Sequence, residues 1–112
     1  MPMMSLNHLQ VKNLMDNNPN VVLINTLDEE HFSSTEIPGA INVPQNDASF
    51  VDRVRAIAEP DANIVVYCAN EECQSSAKAV QKLETAGFTF ANDFEAGARG
   101  WKEAGYELVA KK

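Results

Sequence analysis

The chain has 112 residues, 45% of them hydrophobic, which suits one domain over 1–112 with a core that needs neither disulfides nor metal. Its net charge of -7, with no Lys/Arg cluster outside the tail pair Lys111-Lys112, argues against nucleic-acid binding, which requires phosphate neutralisation. No apolar run reaches bilayer length, and Met1-Pro2-Met3-Met4-Ser5-Leu6 lacks the basic-then-apolar pattern of a secretory signal. No membrane partner is expected, and the cytoplasm is the expected compartment.

The first element is an amphipathic helix carrying Leu6, Leu9, Leu14 and Met15, with Asn7 as its cap. The turn Asn17-Asn18-Pro19-Asn20 leads into a buried strand, Val21-Val22-Leu23-Ile24. The segment around His31 reads as a loop, and Ala40-Ile41-Asn42-Val43 as a shorter strand. Phe50, Val51, Val54 and Ile57 keep helical spacing and stop before Pro60. Ile64-Val65-Val66-Tyr67 is a second buried strand. Ala77, Val80, Leu83 and Ala86 form a further helix that Ser75 can cap and Gly87 can end. Phe88-Thr89-Phe90 reads as a strand, and Trp101 lies on a last short helix between Gly100 and Gly105. Continuous β-branched and aromatic runs suit strands covered on both faces. The expectation is an α/β fold: a central, mostly parallel sheet of about five short strands with helices on both faces.

Ligands of open parallel sheets gather beyond the carboxyl ends of the strands. Cys68 stands directly after Ile64-Val65-Val66-Tyr67, at the start of the polar loop Ala69-Asn70-Glu71-Glu72-Cys73-Gln74-Ser75 that leads into a helix. Unpaired amides and the helix dipole there would favour a thiolate, the nucleophilic form, and would cradle a persulfide anion. The plainer alternative is a small buried hydrophobe at a strand end. Cys73, five positions on, is a second sulfur relay, a resolving thiol for Cys68, or an inert helix-entry residue. Glu71 and Glu72 are a solvated surface, or select a neutral or cationic substrate. His8 and His31 do not combine with the two cysteines in any usual zinc spacing, so no metal site is expected.

Four blocks, in order, resemble the rhodanese (sulfurtransferase) domain. They are Val21-Val22-Leu23-Ile24-Asn25; Ile37-Pro38-Gly39-Ala40-Ile41-Asn42-Val43-Pro44; Ile64-Val65-Val66-Tyr67-Cys68; and Phe94-Glu95-Ala96-Gly97 through Trp101 to Ala104-Gly105-Tyr106. The second is very close to the family's HIPGAINVP signature. The resemblance covers about residues 5–109. It implies a rhodanese-like fold in which a small sulfur donor passes sulfane sulfur to Cys68, and a thiol or other nucleophile, including a protein acceptor, then removes it. It implies no cofactor.

The chain departs from the family pattern at Asn25, where Asp is common, at Leu27, where Arg is common, and at Glu36, where His is common. Its loop is longer than usual, carries two carboxylates and has no cation, so thiosulfate is expected to be a poor donor. A loop without Arg also disfavours phosphate-ester chemistry. Arg99 is a candidate cation at the rim of the site. The alternative to an enzyme is a catalytically weak rhodanese-fold module that senses redox state or binds protein through Cys68 and Cys73.

Overall fold

The computed structural model of the chain describes residues 4–18, 20–70 and 73–109. Five strands, β1 (Met4–Leu6), β2 (Val22–Asn25), β3 (Ile41–Asn42), β4 (Ile64–Tyr67) and β5 (Ala91–Phe94), form one sheet in the order β1-β5-β4-β2-β3. Every neighbouring pair is parallel. The helices are α1 (His8–Asn17), α2 (Glu29–Thr35), α3 (Phe50–Arg55), α4 (Ser75–Thr85) and α5 (Gly97–Glu103).

The alternation of strand side chains separates two cores. Val66 and Ile64 of β4 and Ile24 of β2 pack with Phe50 and Val54 of α3 and with Ala79, Val80 and Leu83 of α4. Val65 and Tyr67 of β4, with Leu23 of β2, pack on the other face with Val11 of α1 and with Ala98 and Trp101 of α5. All four β4 side chains are buried, which explains a continuous apolar run in place of alternation.

Asn7 caps α1 through a reciprocal pair of bonds with Gln10, as its position suggests. Other boundaries differ from the sequence reading. Leu6 closes β1 rather than opening a helix, because three residues suffice to pair with the edge of β5. The segment holding His31 is helical, started by the Asp28 carboxylate accepting the His31 N–H. The last strand is Ala91–Phe94, not Phe88-Thr89-Phe90. Phe88 turns into the core from the end of α4, and Phe90 is 53% exposed. Gln74 rather than Ser75 precedes α4, and the Ser75 hydroxyl donates instead to the Thr26 carbonyl, 3.1 Å away.

Candidate functional site

The strand order reverses between β2 and β4, and the residues that follow these two strands meet there. The Thr26 N–H and Oγ–H both donate to the Tyr67 carbonyl, at 3.0 and 3.2 Å. Cys68 leaves β4 at this crevice, and α4 begins seven residues later.

α5 holds the first part of the loop. The Ala98 and Arg99 amides donate to the Cys68 and Ala69 carbonyls, both at 2.9 Å. Gly97 permits this approach: it has φ +63, and a Cβ there would lie 2.2 Å from the Cys68 carbonyl oxygen. The Gly in the fourth sequence block is therefore a steric requirement of the loop that carries Cys68.

Cys68 is fully buried. Its Sγ–H faces the Cys73 carbonyl at 3.3 Å, the Asn70 carbonyl at 3.9 Å and the Ser76 hydroxyl oxygen at 3.7 Å. The two influences on the thiol oppose one another. Burial is the larger and pushes its pKa up, and the neighbouring Cys73 thiol adds to the rise; the Ser76 amide and hydroxyl pull it down. Burial wins, and the pKa rises to about 11.

This corrects one expectation. The resting thiol is protonated at neutral pH, because loss of hydration outweighs the pull of Ser76. Of the loop over Ala69, Asn70, Glu71, Glu72, Cys73, Gln74 and Ser75, the Cys73 amide is spent on the Asn70 carbonyl and on Asn70 Oδ1, both at 3.2 Å. Glu71 and Glu72 lie outside the described residues. Cys73 is half-buried beside Cys68, and both thiols are free.

Asp93 on β5 is paired in register with Val66 of β4. It is 2% exposed, and its Oδ1 has no partner among the described residues. Burial raises its pKa, the neighbouring Ser76 hydroxyl lowers it, and the charge of Glu95 adds to the rise. Sequence reasoning missed both residues. Ser76 was masked by Ser75 as the expected cap, and Asp93 by a strand placed three residues too early; an Asp between Asn92 and Phe94 on a covered strand was the available signal.

The departures from the family pattern have local solutions. Asn25 is fully buried; its amide donates to Thr35 Oγ1 at 3.0 Å, and its Oδ1 accepts the Leu27 N–H at 2.9 Å. Asn42 completes this support by donating to the Leu27 carbonyl at 2.7 Å. The Tyr67 hydroxyl accepts the Ile37 N–H and donates to the Thr35 carbonyl, both at 2.9 Å, tying the second sequence block to the strand that bears Cys68. Arg99, the candidate rim cation, forms an exposed pair with Glu103 at 3.2 Å. His31 is exposed and paired with Asp28, and His8 lies edge-on to Tyr106. Among the described residues no three His, Cys, Asp or Glu side chains gather as a metal site, and no helix is long and apolar enough to cross a membrane.

Comparison with known proteins places this geometry. Residues 8–104 match the Rhodanese-like domain family. A thiosulfate sulfurtransferase of Pseudomonas aeruginosa is 28% identical with a TM-score of 0.83; the match covers 98% of this chain but only 21% of that one. A rhodanese-related protein of Thermoplasma volcanium is 26% identical over 96% of this chain and 99% of its own, with a TM-score of 0.75. A rhodanese-like domain from Anabaena sp., 23% identical, shares the fold at a TM-score of 0.78 over 100% and 95% of the two chains. No curated protein matches significantly. With 97 consecutive residues matched, and Cys68 at the strand-to-helix loop of a parallel α/β sheet, the chain belongs to the rhodanese-like domain family.

Proposed function

We propose that the chain is a sulfurtransferase that carries sulfane sulfur as a persulfide on Cys68 and passes it to a thiol or other nucleophilic acceptor. The observation that carries this reading is the seat of the Cys68 sulfur against the first turn of α4, with the Ser76 hydroxyl 3.7 Å away. An anionic outer sulfur placed there gains hydrogen-bond donors and the positive end of the α4 dipole. The thiosulfate sulfurtransferase among the structural relatives supports the reaction class.

The donor we favour is a hydropersulfide or polysulfide. Residues 69–75 contain no cation, so a thiosulfate dianion finds little charge compensation in this loop. The acceptor is a small thiol or a protein thiol. Two free cysteines suit a reducing compartment, the cytoplasm.

Intact-mass spectrometry tests the reading. Treatment with polysulfide should add the mass of one sulfur atom, more slowly with thiosulfate, and the gain should be absent in Cys68→Ser. No gain with thiosulfate, polysulfide or persulfidated glutathione would overturn it. The contact between Cys68 and Cys73 supports a second reading, a redox-sensing module. The same instrument reads that one as the loss of two hydrogens after mild peroxide, when an internal disulfide forms.

A further inference from the structure

The chain is acidic, with 16 Asp and Glu against 9 Lys and Arg, yet its cations are unevenly placed. Arg53, Arg55, Lys78 and Lys82 all lie on α3 and α4, which pack against the same core on one face of the sheet. Between these helices runs an open groove of about 550 Å³. Val51 of α3 and Ala86 at the end of α4, both packed against that core, give it an apolar surface, and Lys78 and Lys82 line it. Among the described residues no carboxylate lines it.

Lys78 and Lys82 are four positions apart and so share one side of α4. Lys82 is fixed across the groove: its ammonium donates to the Gln45 carbonyl and lies 5.9 Å from the centre of the Phe50 ring. Arg55 stands at the Ala86 end, donating to the Ala86 carbonyl at 3.0 Å. Lys12, Arg53 and Arg99 each pair with a carboxylate. Lys78, Lys82 and Arg55 have no carboxylate partner among the described residues. The Gln45 end of the groove adjoins the Cys68 site. The Gln45 amide donates to the Thr26 carbonyl at 3.0 Å, and the Ser75 hydroxyl, at the start of α4, donates to the same oxygen at 3.1 Å. The next residue, Ser76, has its hydroxyl 3.7 Å from Cys68 Sγ.

We propose that the α3–α4 groove docks an acidic segment of a protein acceptor and so brings the acceptor's thiol to Cys68. This rests on the sulfur-carrier reading for its purpose. Three cations without carboxylates beside an apolar strip fit a segment that mixes carboxylates with apolar side chains. The net charge of -7 repels an anionic partner everywhere else, so the patch also selects the orientation of approach. In the step it serves, the acceptor thiolate R′–S⁻ bonds the outer sulfur of Cys68–S–SH and leaves as R′–S–SH. The old S–S bond breaks, its electron pair stays on Cys68 Sγ, and that sulfur takes up a proton from water.

The test uses the persulfidated protein and a Glu- and Leu-rich peptide with one Cys; the same peptide with Gln for Glu is the uncharged comparison. Intact mass follows the loss of sulfur from Cys68. The Glu peptide should be the faster acceptor by about tenfold at low ionic strength, the lower end of steering by charged clefts, and molar salt should erase the advantage. Lys78→Gln with Lys82→Gln should bring it down to the rate of the Gln peptide. Lys12→Gln with Lys102→Gln, which removes the same charge from α1 and α5, should leave the advantage in place. Equal rates for the two peptides overturn the docking surface while sulfur transfer stands. So does an equal loss in the Lys78→Gln, Lys82→Gln protein when 2-mercaptoethanol, an uncharged thiol, is the acceptor. Titration of the unmodified protein with a Cys-free Glu peptide, read by amide chemical shifts, separates the two readings. Salt-sensitive shifts confined to α3 and α4, in a protein that takes up no sulfur, sink the transfer reading and leave the docking surface standing. Shifts only on other elements, or tighter binding of a single-stranded oligonucleotide at the groove, overturn the proposal.

Discussion

Burial at Cys68 gives the thiol its stability in the fold and withholds its reactivity. The folded-state pKa, pushed up to about 11, lies above that of a thiol in an unfolded chain. Linkage then fixes the sign. Between the ordinary thiol range and about pH 11 the unfolded chain loses a proton that the folded chain keeps, so stability falls as pH rises through that window and is fully present below it. Denaturant titrations from pH 8 to 11 should show this decline in the parent and a weaker one in Cys68→Ser. Tyr67, raised to about 12 by burial, adds to the decline only at the upper end, and does so equally in both proteins. An identical slope in the two would mean that the sulfur is already solvated. At Asn25 the residue chemistry shows how a family position can change without losing its task. A carboxylate can only accept, whereas the amide both donates to Thr35 and accepts from Leu27, and so satisfies itself without a cation nearby.

At the scale of elements, the site depends on the contact between α5 and the start of the Cys68 loop. Two α5 amides bind consecutive carbonyls there, and Gly97 makes room for them. Gly97→Ala would put a methyl group 2.2 Å from the Cys68 carbonyl oxygen while holding a residue with a side chain at positive φ. The backbone cost alone is about 1–3 kcal/mol, to which the clash adds. The urea midpoint should drop with little change in m; an unchanged midpoint would mean that α5 is only loosely seated. α4 contributes differently. Its first turn supplies Ser76, whose hydroxyl lies 3.7 Å from the Cys68 sulfur, while Ala79, Val80 and Leu83 anchor its other end in the core. Cys68 and its neighbours are thus held by well-packed elements, even though Cys68 itself stands on a loop.

Across the whole molecule, stability should be distributed from the middle of the sheet outward. β4 is paired on both sides and completely buried, whereas β3 has two residues at an edge, with Ile41 43% exposed. Amide exchange should be slowest in β4 and in its partners β2 and β5, and fastest among the strands in β3. Protection in β3 equal to that in β4 would require a partner covering that edge. This central placement also means that Cys68 follows the strand least able to move.

Periodicity and composition were enough to read the α/β class, the parallel sheet covered on both faces, the main helices and the place of Cys68 after a buried strand. Each is set by local patterns of apolar residues, caps and breakers. The last strand was misplaced because Ala91-Asn92-Asp93-Phe94 holds two polar residues. Pairing with β1 and β4 made it a strand where its own propensities do not. The state of the Cys68 thiol was equally out of reach. It depends on a balance between desolvation and the pull of Ser76, and desolvation is a property of the assembled core rather than of any local segment. Only the tertiary structure could set Asp93 in register with Val66, since these residues are 27 positions apart and meet because α4 crosses back over the sheet from β4 to β5.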